Sequence, residues 1–196
     1  MHKYLRFGFI ENLGAVRHIP VGALGGVKIS LTPTVWLFPF VFLLLRFALN
    51  SFDTNSTFAA RLYDSVVFML GVAAFTLTHA FGHLLSGKLV GSSMDELLFT
   101  ATRGVNIYDG DQTLVPGRVH LGRALGGPIA NLLCAALLFL LLPSTGGFLA
   151  DVIASTASTN LFAGAGSFLP LPSIDGQVIW RELLRSLRSQ ARASEQ

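Results

Sequence analysis

The hydrophobic pattern predicts four membrane-crossing helices separated by short polar stretches. No formally charged residue lies between Ser65 and Gly87, a run of roughly 23 positions and long enough to cross a bilayer as a helix. Similar apolar runs cover about residues 33–49, 125–142 and 152–169, so residues 31–176 read as a transmembrane core. Before it, Phe9, Ile10, Leu13 and Val16 are spaced as the apolar stripe of a short interfacial helix. Val27 to Leu31 alternates like a strand, and Leu97–Thr102 and Val105–Tyr108 predict two more, joined at Arg103-Gly104. Pro128 is expected in the first turn of the third span, where its missing N–H is not needed. The fourth span carries Ala163, Gly164, Ala165 and Gly166, which permit close helix contact. Pro170 and Pro172 should end it and leave Asp175 on irregular backbone. Residues 177–196 set Ile179, Leu183, Leu184 and Leu187 against Arg181, Arg185, Arg188 and Arg192, a basic amphipathic helix suited to an anionic membrane face. The fold class is therefore an all-α polytopic membrane protein with short membrane-associated strands.

Composition supports this reading. Of 196 residues, 52% are hydrophobic and 13% charged, and the mean hydropathy is +0.59, values of a membrane protein rather than a soluble domain. The net charge of +3 points to no nucleic-acid partner, because the basic residues flank the apolar runs instead of forming one patch. Four lysines or arginines precede the first span, four fall within residues 88–123 and four follow the last span, whereas the first linker holds only Arg61. The positive-inside rule then puts both termini in the cytoplasm. Arg46, near the end of the first span, is expected to snorkel. The single cysteine, Cys134, excludes a disulfide framework. No cleavable leader is expected, since the first strongly apolar run starts near residue 31 without a small-residue cleavage site after it. Asn55-Ser56-Thr57 matches a glycosylation sequon but lies too near the membrane to weigh.

The candidate chemistry lies in the second span. His79 and His83 are four apart, so both imidazoles project from one helix face with the spacing that two ligands of one zinc ion need. In the zinc-hydrolase signature H-E-x-x-H the Glu serves as general base. Here that position is Ala80. The predicted topology puts His79, His83, Asn131 and Asp175 at similar depth near the cytoplasmic side. Two histidines and one carboxylate leave a fourth tetrahedral position open, as catalytic zinc sites do. Taken singly these residues have plainer readings: a packed histidine, an Asp capping a turn, an Asn bonding a neighbouring helix. His120 has no evident partner and reads as interfacial.

Three segments together resemble the site-2 protease family of intramembrane zinc metalloproteases. Thr78-His79-Ala80-Phe81-Gly82-His83-Leu84-Leu85 resembles its H-E-x-G-H stretch, and Gly127-Pro128-Ile129-Ala130-Asn131 its G-P-x-A-N segment. Asn160, followed by Leu169-Pro170-Leu171-Pro172-Ser173-Ile174-Asp175-Gly176, resembles its N…L-P-x-P-x-x-D-G segment. Ser167 stands where that family usually has a second Asn, and Gln177 where it often has a second Gly. The resemblance implies one Zn2+ held by His79, His83 and Asp175, with position 80 as general base and Asn131 a contact for substrate backbone or an oxyanion. It also implies a transmembrane protein or leftover signal segment as substrate, cut near the cytoplasmic face of a bacterial cytoplasmic membrane. An unwound substrate is expected to add as a strand to residues 92–108 or to the strand before the first span. No PDZ or nucleotide-sensing domain is evident, so a filter on substrates is expected from the membrane core or a partner. Two explanations of Ala80 compete: an inactivating substitution in an otherwise working protease, favoured by the intact remainder of the site, or a natural pseudoprotease that binds membrane segments uncut. A metal transporter or haem protein using His79 and His83 is the alternative from another class, with few polar groups in the outer halves of the spans to support it.

Overall fold

The computed structural model describes residues 15–194 and is mostly helical. Two hairpins, β1 (Ile19–Leu24) with β2 (Val27–Leu31) and β3 (Glu96–Phe99) with β4 (Gly104–Ile107), form one sheet in the order β1-β2-β3-β4. The helices are α1 (Leu37–Asn50), α2 (Phe58–Leu89), α3 (Gly117–Leu141), α4 (Gly147–Gly166) and α5 (Asp175–Ser194). Phe9, Ile10 and Leu13, expected on an interfacial helix, lie outside the described residues, and Val16 sits in a bend.

The strands bracket the first two helices. β2 pairs in parallel with β3, Lys28 opposite Glu96 and Leu31 opposite Phe99, so the chain leaves the sheet through α1 and α2 and returns beside its starting strand. A parallel pair needs such a long crossover. Gly25 and Gly26, at φ of +56° and +86°, make the tight turn of the first hairpin. β1 was not predicted, because Pro20 and a register shift between Pro20 and Gly22 interrupt its alternation. The turn of the second hairpin is Thr100 to Arg103 rather than Arg103-Gly104, since the Thr100 N–H donates to Arg103 O at 2.9 Å and Gly104 already belongs to β4. Val27, Leu97 and Met94 pack with Ala80 and Leu84 of α2, with Ile29, Phe99 and Tyr108 at the margin.

Two helices, Phe58–Leu89 and the stretch Gly117–Ser144, are long and apolar enough to cross a membrane. Only 33% and 22% of their most apolar windows are buried, whereas the core helix of a soluble protein would be covered on all sides. Leu77, Phe81, Leu85, Leu133, Leu137 and Leu140 are exposed along them, as lipid-facing side chains would be. The 14 residues of α1 reach about 21 Å, short of the ~30 Å hydrocarbon layer. α4 has 20 residues, but Asp151, Ser155, Thr156, Ser158, Thr159 and Asn160 dilute its hydropathy.

Element boundaries differ from expectation for local reasons. α2 starts at Phe58, not near Ser65, because the Thr57 hydroxyl accepts from the Ala60 N–H at 3.2 Å and caps it. α3 starts at Gly117 behind Pro116, so Pro128 lies well inside the helix instead of in its first turn. Asp175 opens α5 rather than sitting on irregular backbone, which ends at Ile174. Arg46 is paired with Asp64 of α2, its Nε 2.6 Å from the carboxylate, and Asn50 donates to the same oxygen at 2.7 Å.

Candidate metal centre

The C-terminal half of α2 runs against α3 at close range. A Cβ at Gly82 would fall 2.6 Å from the Ala130 methyl, so only glycine permits this approach. The contact brings His79 and His83 opposite the turn that contains Gly127 and Pro128. Pro128 supplies no N–H to the carbonyl four residues earlier, a gap that membrane helices tolerate when neighbouring groups take over. Beside that turn, Arg123 O accepts from His83 Nδ1–H at 2.8 Å and from the Ser86 hydroxyl at 3.2 Å.

The third group arrives from α5. Ser173, at φ +68°, turns the chain after the prolines, and its N–H donates to Gln177 Oε1 at 3.2 Å. A Cβ at Gly176 would meet Phe168 C at 2.6 Å, so the glycine lets α5 begin against the end of α4. Trp180 Nε1–H donates to Phe168 O at 2.8 Å and holds the same junction. Asp175 is thereby placed with Oδ2 3.0 Å from His79 Nε2 and Oδ1 3.3 Å from His83 Nε2. The two Nε2 atoms are 3.0 Å apart.

His79, His83 and Asp175 thus offer three ligand atoms within 4.8 Å of one another. Four-coordinate zinc with bonds of about 2.0–2.1 Å to nitrogen and oxygen separates its donors by roughly 3.3 Å, so the spacing fits. The surroundings fit as well. A Cβ at Gly127 would lie 2.5 Å from His83 Nε2 and 2.6 Å from His79 Nε2, so the one residue without a side chain faces the point where the donors meet. Zinc is compatible with this donor set of two imidazoles and a carboxylate, of which His83 is buried and His79 and Asp175 are partly exposed.

Of the other predicted site residues, Ala80 is 3% exposed and packs into the apolar cluster under the sheet. Asn131 is fully buried, and its Nδ2 lies 2.8 Å from His79 Nδ1. Asn160 is also fully buried and donates to Thr156 O at 2.9 Å, and the Ser167 hydroxyl donates to Ala163 O at 2.8 Å. His120, expected to lack a partner, donates from Nε2 to Gln112 O at 3.0 Å.

Sequence reasoning missed Arg123. Its guanidinium is buried, donates from Nε to Ser92 O at 2.7 Å and from Nη1 to Gln112 Oε1 at 2.8 Å, and also bonds the Ser92 hydroxyl. It stacks 4.0 Å over the Tyr108 ring. One residue therefore ties the 92–112 segment down while its carbonyl orients His83. The only signal in the sequence was an arginine two residues before the third apolar run, which reads equally as a topology marker.

No protein-family model matches the chain, and no curated protein does. Among solved structures the chain is similar to the site-2 protease from Methanocaldococcus jannaschii, with a TM-score of 0.58 and 20% identity over 87% of this chain and 73% of that one. At that identity the likeness is one of fold: a mostly helical scaffold with apolar helices long enough for a membrane and a small sheet beside them.

Proposed function

We propose that the chain is a site-2-protease-type zinc protein of a membrane, with four spans and both termini cytoplasmic, that takes transmembrane segments near the cytoplasmic face. The observation that carries this reading is the meeting of His79, His83 and Asp175 within 4.8 Å, from helices far apart in sequence, on a fold like that of a site-2 protease. Zinc held there supplies Lewis acidity toward a peptide carbonyl. His79 and His83 bind through Nε2, and Asp175 completes the protein ligands and offsets part of the metal's charge. The outer edge of β4, which pairs only with β3 among the described residues, is the place for an unwound substrate strand, because Gly104 borders Ala80.

The general base is absent. Losing one typically lowers a rate by about 10²–10⁴-fold, so the chain as it stands binds zinc and substrate with little turnover. Purified protein should carry about one zinc per chain, and the His79→Ala, His83→Ala double variant only background metal. Ala80→Glu should raise cleavage of a transmembrane substrate by about 10²–10⁴-fold. Equal metal in the parent and the double variant would sink the zinc reading, and a Soret band on purification would replace it with haem.

The packing of Ala80 favours a second reading, a natural pseudoprotease. Its methyl is enclosed by Val27, Leu84, Met94 and Leu97, a setting for an apolar side chain rather than a carboxylate. Under that reading Ala80→Glu, folded and zinc-loaded, stays inert toward a panel of membrane substrates.

A further inference from the structure

The two histidines differ in how their outer nitrogens are held. His83 Nδ1 faces a backbone carbonyl, Arg123 O at 2.8 Å, which can only accept. The ring of His83 therefore carries a proton on Nδ1, and in its neutral form Nε2 is left with its lone pair toward Asp175 and His79. At His79 the partner is ambiguous by chemistry: the Asn131 side-chain amide, with Nδ2 2.8 Å from Nδ1. An amide nitrogen donates, and that pairing puts the His79 proton on Nε2, where it blocks metal ligation. Asn131 Oδ1, meanwhile, is buried with no hydrogen-bond partner. Turning the amide end for end exchanges two atoms of nearly equal size and places Oδ1 against Nδ1.

From this we infer that Asn131 is the positioning residue that selects the metal-binding tautomer of His79, by turning Oδ1 onto Nδ1–H when the metal is bound. With Nδ2 toward Nδ1, His79 Nε2–H would donate to Asp175 Oδ2, 3.0 Å away, and leave no lone pair for a metal. With Oδ1 toward Nδ1, both Nε2 lone pairs converge. Asn131 would then act on the metal through His79, as outer-sphere partners of zinc-bound histidines do, in place of the substrate contact expected for it. The inference rests on the metal-centre reading and adds to it a residue, an atom and a direction of rotation.

Zinc affinity by chelator competition, with the visible spectrum of the cobalt-substituted protein, tests it on the full chain in detergent. Asn131→Asp keeps an acceptor and loses the donor, so it should bind zinc at least as tightly as the parent, with a cobalt spectrum close to the parent's. Asn131→Leu, which keeps the volume and removes the acceptor, should bind about 10–100-fold more weakly, with altered cobalt bands. Nitrogen NMR of the zinc-loaded parent, needing no substitution, should show His79 Nδ1 protonated. Parent-like affinity and spectrum in Asn131→Leu, or Asn131→Asp as weak as Asn131→Leu, would overturn the inference while leaving the zinc site standing. A protonated His79 Nε2 in the loaded parent would do the same. A parent that takes up no metal would instead overturn both.

Discussion

Over the same turns, α2 presents two faces that obey different rules. One carries His79, Gly82, His83 and Ser86 against α3, and there contact is by glycine and by polar side chains. The other carries Ala80 and Leu84 against the sheet, and there contact is by apolar volume alone. The first face resembles a binding site, with each imidazole Nδ1 against a polar group of α3; the second resembles an ordinary core. Position 80, where a zinc hydrolase would hold its base, falls on the second. In the H-E-x-x-H signature the base likewise stands one residue after the first histidine, so what differs at position 80 is not its angle on the helix but its side chain, an alanine closed under the sheet.

The sharpest way to break the contrast is to put atoms into the polar face. Gly127→Ala adds a methyl that would stand 2.5 Å from His83 Nε2 and 2.6 Å from His79 Nε2, so the imidazoles must turn away from Asp175. Alanine is about 1 kcal/mol better than glycine inside a helix, so secondary structure should hold while zinc content falls to the level of the double histidine variant. Circular dichroism and metal analysis on one preparation check both halves. Full zinc occupancy in Gly127→Ala would mean that the donors do not meet opposite that glycine.

The apolar face should answer differently. Leu97 is 4% exposed and lies against Ala80 from β3. Leu97→Ala should lower stability by about 2–5 kcal/mol through lost contacts and the cavity left behind, seen in denaturant unfolding in detergent. Zinc per folded chain should stay at the parent's level. If that substitution also emptied the metal site, the two faces would be one cooperative unit and the distinction between them would fail.

Much of the site was legible in the sequence because its signals are periodic or topological. The i, i+4 spacing put His79 and His83 on one face, and the proline-rich break after the fourth apolar run set Asp175 at their depth. Val27–Leu31 was legible because its alternation is uninterrupted. What escaped depended on single atoms. The start of α2 hangs on one hydroxyl of Thr57, and the start of α3 on Pro116, in a stretch whose polarity resembles a loop. The partners of Arg123 and Asn131 come from segments 31 and 52 residues distant, and no local pattern announces them. Of the apolar stripe expected on α5, Ile179 is buried while Leu183, Leu184 and Leu187 stay exposed, and Glu182 turns inward with Arg181 and Arg185 pairing to its carboxylate at 2.7 and 3.3 Å.

The smallest expected effect lies on the far side of the sheet and sharpens the comparison from outside. Glu96 of β3 sits opposite Lys28 in the β2–β3 register, with its Oε1 3.3 Å from Lys28 Nζ and 3.2 Å from His18 Nδ1. Burial works against its ionisation, but the Ser30 hydroxyl, His18 and Lys28 outweigh burial and hold the carboxyl below its ordinary value of 4.5. A carboxyl depressed in the folded state contributes stability that is complete above the unfolded value and is lost as pH falls through the folded one. Lys28 is half exposed, so solvent screens the pair and the contribution should be below about 1 kcal/mol. Glu96→Gln should therefore cost little at neutral pH and flatten the fall in unfolding midpoint below about pH 4.5, while the metal content at neutral pH does not move. An acid limb as steep in Glu96→Gln as in the parent would assign that slope to other carboxylates, and the outer face of the sheet would then contribute shape to this fold and nothing to its response to acid.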